Sequence, residues 1–255
     1  MKLLQLINTI FNCILELIFP PRCLVCSEVF PKSDFKAEIH ICKRCESKII
    51  PVNTFDNICR KCSRPTEEGN IICPLCQVSK YHFDIAYSYA VYNNSLRRAI
   101  LSYKFGGQQY KYRDLADLII LKMTEHPFLL HSDIIISVPS SRKRQKSRGF
   151  DHVLPIAKYI SAKTSIPYIK NAVAKIRETP PQSKLSFNER KLSVKGAYLV
   201  AKPSKVCGKT IILIDDILTT GSTVSEIAKI LKRAGARQVI VMTVGVTNLK
   251  KTGDE

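Results

Sequence analysis

The 255-residue chain has no tryptophan, three methionines and ten glycines, and its 21 Asp and Glu face 40 Lys and Arg. Glycine this sparse excludes a collagen-like repeat, and a hydrophobic content of 45% excludes a wholly disordered chain. The shortage of acid leaves a net charge of +19, which excludes an acidic solvating protein. It points instead to polyanions: nucleic acid, phosphorylated metabolites or anionic lipid. A long clean apolar run is also missing. Over residues 1–19, Lys2, Gln5, Asn8, Asn12 and Glu16 interrupt the apolar residues at helical steps. A spanning helix needs about 20 apolar residues, and a secretory leader carries no such polar stripe. The pattern predicts an amphipathic helix that packs on its own protein or touches a membrane surface, in a cytoplasmic protein.

Cysteine is nearly absent from the later part of the chain, where Cys207 stands alone after Cys76. Before it, Cys23/Cys26, Cys42/Cys45, Cys59/Cys62 and Cys73/Cys76 form four Cys-x-x-Cys pairs. The first two have the spacing of a zinc site, and two pairs together supply the four thiolates of a tetrahedral ion. Four pairs hold two structural zinc ions, either in sequence or interleaved. Such sites have no open coordination position, and they brace a segment too short to build its own core. Cys13 and Cys207 read as plain thiols, and His40 and His82 as surface residues. Composition shifts near residue 78, which divides the chain into a helix plus zinc-ribbon module over 1–77 and a second domain over 78–255.

In that second region, wholly apolar segments alternate with helical patterns. Strands are predicted at Phe83–Tyr92, Asp133–Val138, Thr210–Ile214 and Gln238–Val246. Helices are predicted at Ser95–Lys104 with a Ser cap, at Asp151–Ser161, and at Ser222–Ala234 with Gly235 as its stop. Continuously apolar strands alternating with helices imply an α/β fold, a parallel sheet covered on both faces.

The sharpest motif runs from Ile211 to Thr223. An apolar strand ends in Asp215 and Asp216, and Thr219, Thr220, Gly221, Ser222 and Thr223 then lead into a helix. Backbone N–H groups at a helix start, with hydroxyls around them, suit a phosphate dianion, and Gly221 allows close approach. Two carboxylates at the C-terminal end of a parallel strand suit vicinal ribose hydroxyls. Gly208-Lys209-Thr210 imitates the end of a P-loop, but Pro203 stands where its first Gly belongs and the segment enters a strand.

This motif resembles the 5-phosphoribosyl-1-diphosphate (PRPP) signature of type I phosphoribosyltransferases. The cysteine pairs behind an N-terminal helix are similar to those of ComF-type competence proteins. So are the segment Ser95–Gly106, Val138-Pro139, Arg148-Gly149-Phe150, and Arg177 with Thr179, Gln182 and Arg190. Members of that family serve the uptake of single-stranded DNA during natural transformation. The resemblance implies a type I phosphoribosyltransferase-like sheet in which Asp215 and Asp216 hold the ribose and Thr219–Thr223 the 5′-phosphate. It further implies that Pro139, Ser140, Ser141 and Arg142 form the diphosphate loop, with Mg2+ held mainly by the ligand. Residues 177–195 would form a flexible loop whose Arg177, Lys184 and Arg190 stabilise a leaving diphosphate in a transferase. A DNA-uptake helicase or inner-membrane channel is the implied partner, and the inner face of that membrane the implied location. An acceptor hood would have to come from residues near 78–130 or from the zinc module. No residue there reads as a nucleobase site, so binding without turnover, an active transferase and a PRPP sensor all remain open.

Arg142, Lys143, Arg144, Lys146 and Arg148 place five cations in seven residues beside the expected diphosphate loop. Arg97, Arg98, Lys104, Lys111 and Arg113 add charge among Tyr103, Phe105, Tyr110 and Tyr112. Cations interleaved with aromatics suit single-stranded DNA, whose phosphates pair while its bases stack.

Overall fold

The computed structural model describes residues 20–30, 39–179 and 187–248. The expected helix over 1–19 with Cys13, and the positions Gln182 and Lys184, lie outside them.

Each zinc ribbon is built the same way. Its first cysteine pair sits in a tight turn closed by a serine in the left-handed region, Ser27 (φ 63°) and Ser63 (φ 59°). These serines donate their N–H to Cys23 and Cys59 at 2.9 Å. Its second pair opens a short helix, α1 (Lys43–Glu46) after Cys42 and α2 (Pro74–Val78) after Cys73.

After the ribbons come β1 (Ile85–Val91), α3 (Asn94–Phe105), α4 (Tyr112–Thr124), β2 (Ile134–Ser137), α5 (Arg142–Arg148) and α6 (Val153–Thr164). Then follow β3 (Val173–Lys175), α7 (Phe187–Val194), β4 (Tyr198–Val200), β5 (Thr210–Leu218), α8 (Ser222–Arg233) and β6 (Gln238–Val246). The main sheet has the order β1-β6-β5-β2 and is parallel throughout, while β3 and β4 form a separate antiparallel ribbon.

Strand period decides how the ribbons are placed. Along β5, Ile212 and Ile214 face a core layer shared with α3, α4, α6 and the first ribbon's Cys23, Leu24 and Cys45. Ile211 and Leu213 face the opposite layer, shared with α8 and the second ribbon's Cys59, Cys62 and Cys73. The four β5 side chains are completely buried, each contributing about 1.5–3 kcal/mol. The ribbons also close the β1 edge. Val91 donates to the Ile50 carbonyl and Ala86 to that of Lys61, both at 2.9 Å.

Several expectations need correction. The cap of α3 is Asn93, whose side chain accepts from the Leu96 N–H, and not Ser95, which lies inside the helix. The basic run Arg142–Arg148, to which the sequence reading gives no helix, is the helix α5. The sequence reading places no helix at Tyr112–Thr124, where α4 buries Leu115, Leu118, Ile119 and Met123 at helical steps. His40 is no free surface residue, because its Nδ1 lies 2.9 Å from the buried Asp114 carboxylate. No helix among the described residues is long and apolar enough to cross a membrane.

Candidate functional site

The candidate site lies at the C-terminal end of β5, between β6 and β2. Asp216 is buried and donates its N–H to Asp215 Oδ1 at 2.9 Å, while Asp215 stays partly exposed. Lys104, in the last turn of α3, forms an ion pair with Asp216 Oδ2. His152, at the start of α6, brings Nε2 to 3.8 Å from Asp216 Oδ1. Burial and the neighbouring Asp216 charge push the Asp215 carboxyl well above the usual carboxylate range. Burial acts on Asp216 in the same direction, but Lys104 and His152 outweigh it and hold that carboxyl well below. Burial lowers the His152 imidazole, and its Nδ1 lies 3.0 Å from the Arg148 guanidinium. One fixed carboxylate beside one that readily takes a proton can both accept from and donate to a vicinal diol.

Past Leu218 the chain turns through Gly221 (φ 74°), which caps α8. Thr220 Oγ1 and Ser222 Oγ are 2.9 Å apart. The carbonyls of the turn point away from the cleft. Arg64 donates to those of Leu218 (3.3 Å) and Thr219, and Tyr81 Oη donates to that of Thr220 at 2.6 Å. A trans peptide sets its N–H opposite its C=O, so the amides of Thr220 and Gly221 face the other side. There, Asp215, Thr219, Gly221, Ser222 and Thr223 line one small pocket.

The expected diphosphate loop sits beside this pair, since Val138 donates to the Ile214 carbonyl at 2.9 Å. Gln145 Nε2 braces the loop from α5, at 3.2 Å from both Ser140 O and Asp151 Oδ2. Pro139 and Ser140 are partly exposed, Ser141 is buried, and Arg142 opens α5.

The expected DNA-binding cations divide. Lys143 and Lys146 are exposed on α5, which also carries Arg144. Arg148 packs its guanidinium 4.7 Å from the Phe105 ring centre, and Lys104 belongs to the carboxylate pair rather than to an outer basic surface. Arg177 donates to the Ser193 (3.0 Å) and Lys195 (2.7 Å) carbonyls and so closes the base of its own loop. Arg190 is on α7. His152, Gln145, Arg64 and Tyr81 escape the sequence reading.

The two cysteine centres pair in sequence, not interleaved: Cys23, Cys26, Cys42 and Cys45 form one, and Cys59, Cys62, Cys73 and Cys76 the other. Sulfur separations of 3.8 Å for Cys26–Cys42 and 3.6 Å for Cys62–Cys73 fit a zinc tetrahedron. Its Zn–S bonds of about 2.3 Å give an edge of about 3.8 Å. His152, Asp215 and Asp216 also lie within one ion's reach of each other, with Lys104 in their midst.

Residues 14–77 match the double zinc ribbon domain family and residues 144–254 the phosphoribosyl transferase domain family. The DNA utilization protein YhgH of Shigella flexneri is 31% identical over 201 residues, 72% of this chain and 88% of that protein. Competence protein F of Haemophilus influenzae is 27% identical over 227 residues, 86% of this chain and 94% of that one. Among solved structures, an allosteric regulatory enzyme of purine biosynthesis is 21% identical with a TM-score of 0.37. That likeness covers 56% of this chain and 29% of the enzyme's.

Proposed function

Because the chain belongs to the family of competence protein F and DNA utilization protein YhgH, which joins a double zinc ribbon to a phosphoribosyl transferase domain, we propose that it binds PRPP and single-stranded DNA in the uptake or use of incoming DNA. Asp215 and Asp216 hold the ribose 2′- and 3′-hydroxyls, and Thr219–Thr223 enclose the 5′-phosphate. Pro139, Ser140, Ser141 and Arg142 receive the diphosphate, whose oxygens carry most of the Mg2+ coordination. DNA lies on the basic face of α5, with Lys143 and Lys146 on its phosphates. Two structural zinc ions fill the cysteine centres. The protein works in the cytoplasm, at the inner face of the membrane, beside the helicase or channel that delivers the strand.

One observation carries the PRPP reading: Asp215 of the carboxylate pair and the turn with outward-held carbonyls line one pocket at the end of β5. Arg177 donates to the Ser193 and Lys195 carbonyls, and diphosphate release separates binding without turnover from an active transferase. Calorimetric titration of the zinc-loaded protein with Mg2+-PRPP tests the first point, and released diphosphate in the same sample tests the second. Saturable micromolar binding without diphosphate release supports the reading. Steady release with a small amine or base present would favour the transferase, and absent binding would remove PRPP from the account. A DNA affinity that changes when Mg2+-PRPP is added would identify a sensor.

A further inference from the structure

Arg64 lies two residues beyond the metal-ligand position Cys62 and is completely buried. Its side chain spans two parts of the molecule. Nη1 donates to Cys62 Sγ at 3.2 Å, Nε to the Thr247 carbonyl at 3.0 Å, and Nη2 to the Leu218 (3.3 Å) and Thr219 carbonyls. A guanidinium fully removed from water needs a countercharge, and carbonyls supply none. The four thiolates of this centre supply it, because with zinc they carry a formal charge of about −2. Tyr81, five residues after Cys76, completes the connection. Its hydroxyl holds the Thr220 carbonyl at 2.6 Å, and its ring stacks on Phe83 at 5.0 Å.

Three successive carbonyls of the turn, at Leu218, Thr219 and Thr220, are thus held from the side of the second ribbon. The first ribbon is tied elsewhere, to α4 through His40 and Asp114 and to α3 through Ser27, Lys111 and Ser102. We infer that Arg64 is a positioning residue that couples the second cysteine centre to the phosphate cradle, so that the cradle's affinity for a sugar phosphate follows metal occupancy of Cys59, Cys62, Cys73 and Cys76. The affinity half of this inference rests on the PRPP reading above, whereas the coupling of metal to loop does not. Once the metal is withdrawn, the sulfurs lose the ion that gathers them and Arg64 loses its anion. The Leu218 and Thr219 carbonyls are then released, and the amides of Thr220 and Gly221 no longer converge.

The test compares the full-length zinc-loaded protein with Arg64→Met, Arg64→Lys and Tyr81→Phe. It reads zinc content, amide hydrogen exchange over residues 218–223 against residues 211–214, and affinity for Mg2+-PRPP. Each lost bond to a charged donor corresponds to a factor of about ten or more. In Arg64→Met with both zinc ions retained, loop exchange is expected to quicken about tenfold while the β5 core stays protected. PRPP affinity is expected to fall about ten- to a hundredfold. Arg64→Lys, which keeps the charge but not the fork, falls between. Stripping zinc from the wild type, read well below the melting temperature of the stripped protein so that residues 211–214 stay protected, reproduces the fast loop exchange. Should Arg64→Met expose the core as well, Arg64→Lys and Tyr81→Phe decide the matter, since both retain a polar head or ring. Unchanged loop exchange in both, or in zinc-free wild type, overturns the coupling. A wild type that ignores PRPP yet shows metal-dependent loop exchange overturns only the ligand.

Discussion

Lys104, only partly exposed, forms an ion pair with the buried Asp216 that joins the end of α3 to the end of β5. The pair sets the charge of the site. It holds Asp216 ionised against the pull of burial, while Asp215 beside it is driven toward the protonated form.

Lys104→Met should therefore leave Asp216 buried without its cation and cost about 3 kcal/mol at pH 7 in urea unfolding. Because the folded-state carboxyl of Asp216 is depressed, its contribution is present above the unfolded value near 4 and is lost as pH falls through the folded one. The gap between wild type and variant should thus narrow in acid. A gap that stays constant with pH would mean the pair carries no charge-linked stability.

Gly221 cannot be replaced cheaply. Its φ of 74° disfavours any side chain, and an added Cβ would sit 3.0 Å from Tyr81 Cε1. Gly221→Ala should lower stability by about 1–2 kcal/mol and weaken PRPP binding further by shifting Tyr81 and the Thr220 carbonyl. Thermal melting and calorimetry of the same variant check both effects.

Metal analysis should find two zinc ions per chain. The sulfurs of each centre sit in the same buried clusters as the sheet's side chains. Stripping the metal should therefore lower the melting temperature of the whole fold, not of a detached module. A zinc-free preparation that melts like the loaded one would contradict structural sites.

Neutralising Arg142, Lys143, Arg144 and Lys146 together should weaken single-stranded DNA binding. The slope of log affinity against log salt should flatten by about 0.7 for each phosphate contact removed. A slope equal to the wild type's would place DNA on another face.

Much of this was legible before folding. Cys-x-x-Cys spacing carries metal chemistry locally, and the run from Ile211 to Thr223 names strand, hydroxyl-rich turn and helix in a single stretch, so the cysteine centres and this strand–turn–helix appear where expected, although β5 runs past Ile214 and both carboxylates to Leu218. Between the two orders of cysteine pairing, only the folded chain decides. Local pattern also misleads at Ser95, because Asn93 caps α3 two residues earlier. The period of α4 was present in Leu115, Leu118, Ile119 and Met123, but the cations and tyrosines before it draw attention to charge. Lys104 reads as one more surface cation until β5 brings Asp216 against it. Arg64 and Thr219, which no periodicity links, meet only when the second ribbon packs beneath the turn.

Replacing both carboxylates at once reaches the centre of the account. Asp215→Asn with Asp216→Asn keeps size and shape while removing the two carboxyl groups that hold the ribose hydroxyls. In side-by-side calorimetry with Mg2+-PRPP, the wild type should bind saturably. The double variant, still loaded with two zinc ions and still folded by circular dichroism, should bind about a hundredfold more weakly or not at all. Equal affinity in the two proteins would contradict the assignment of this site to the ribose.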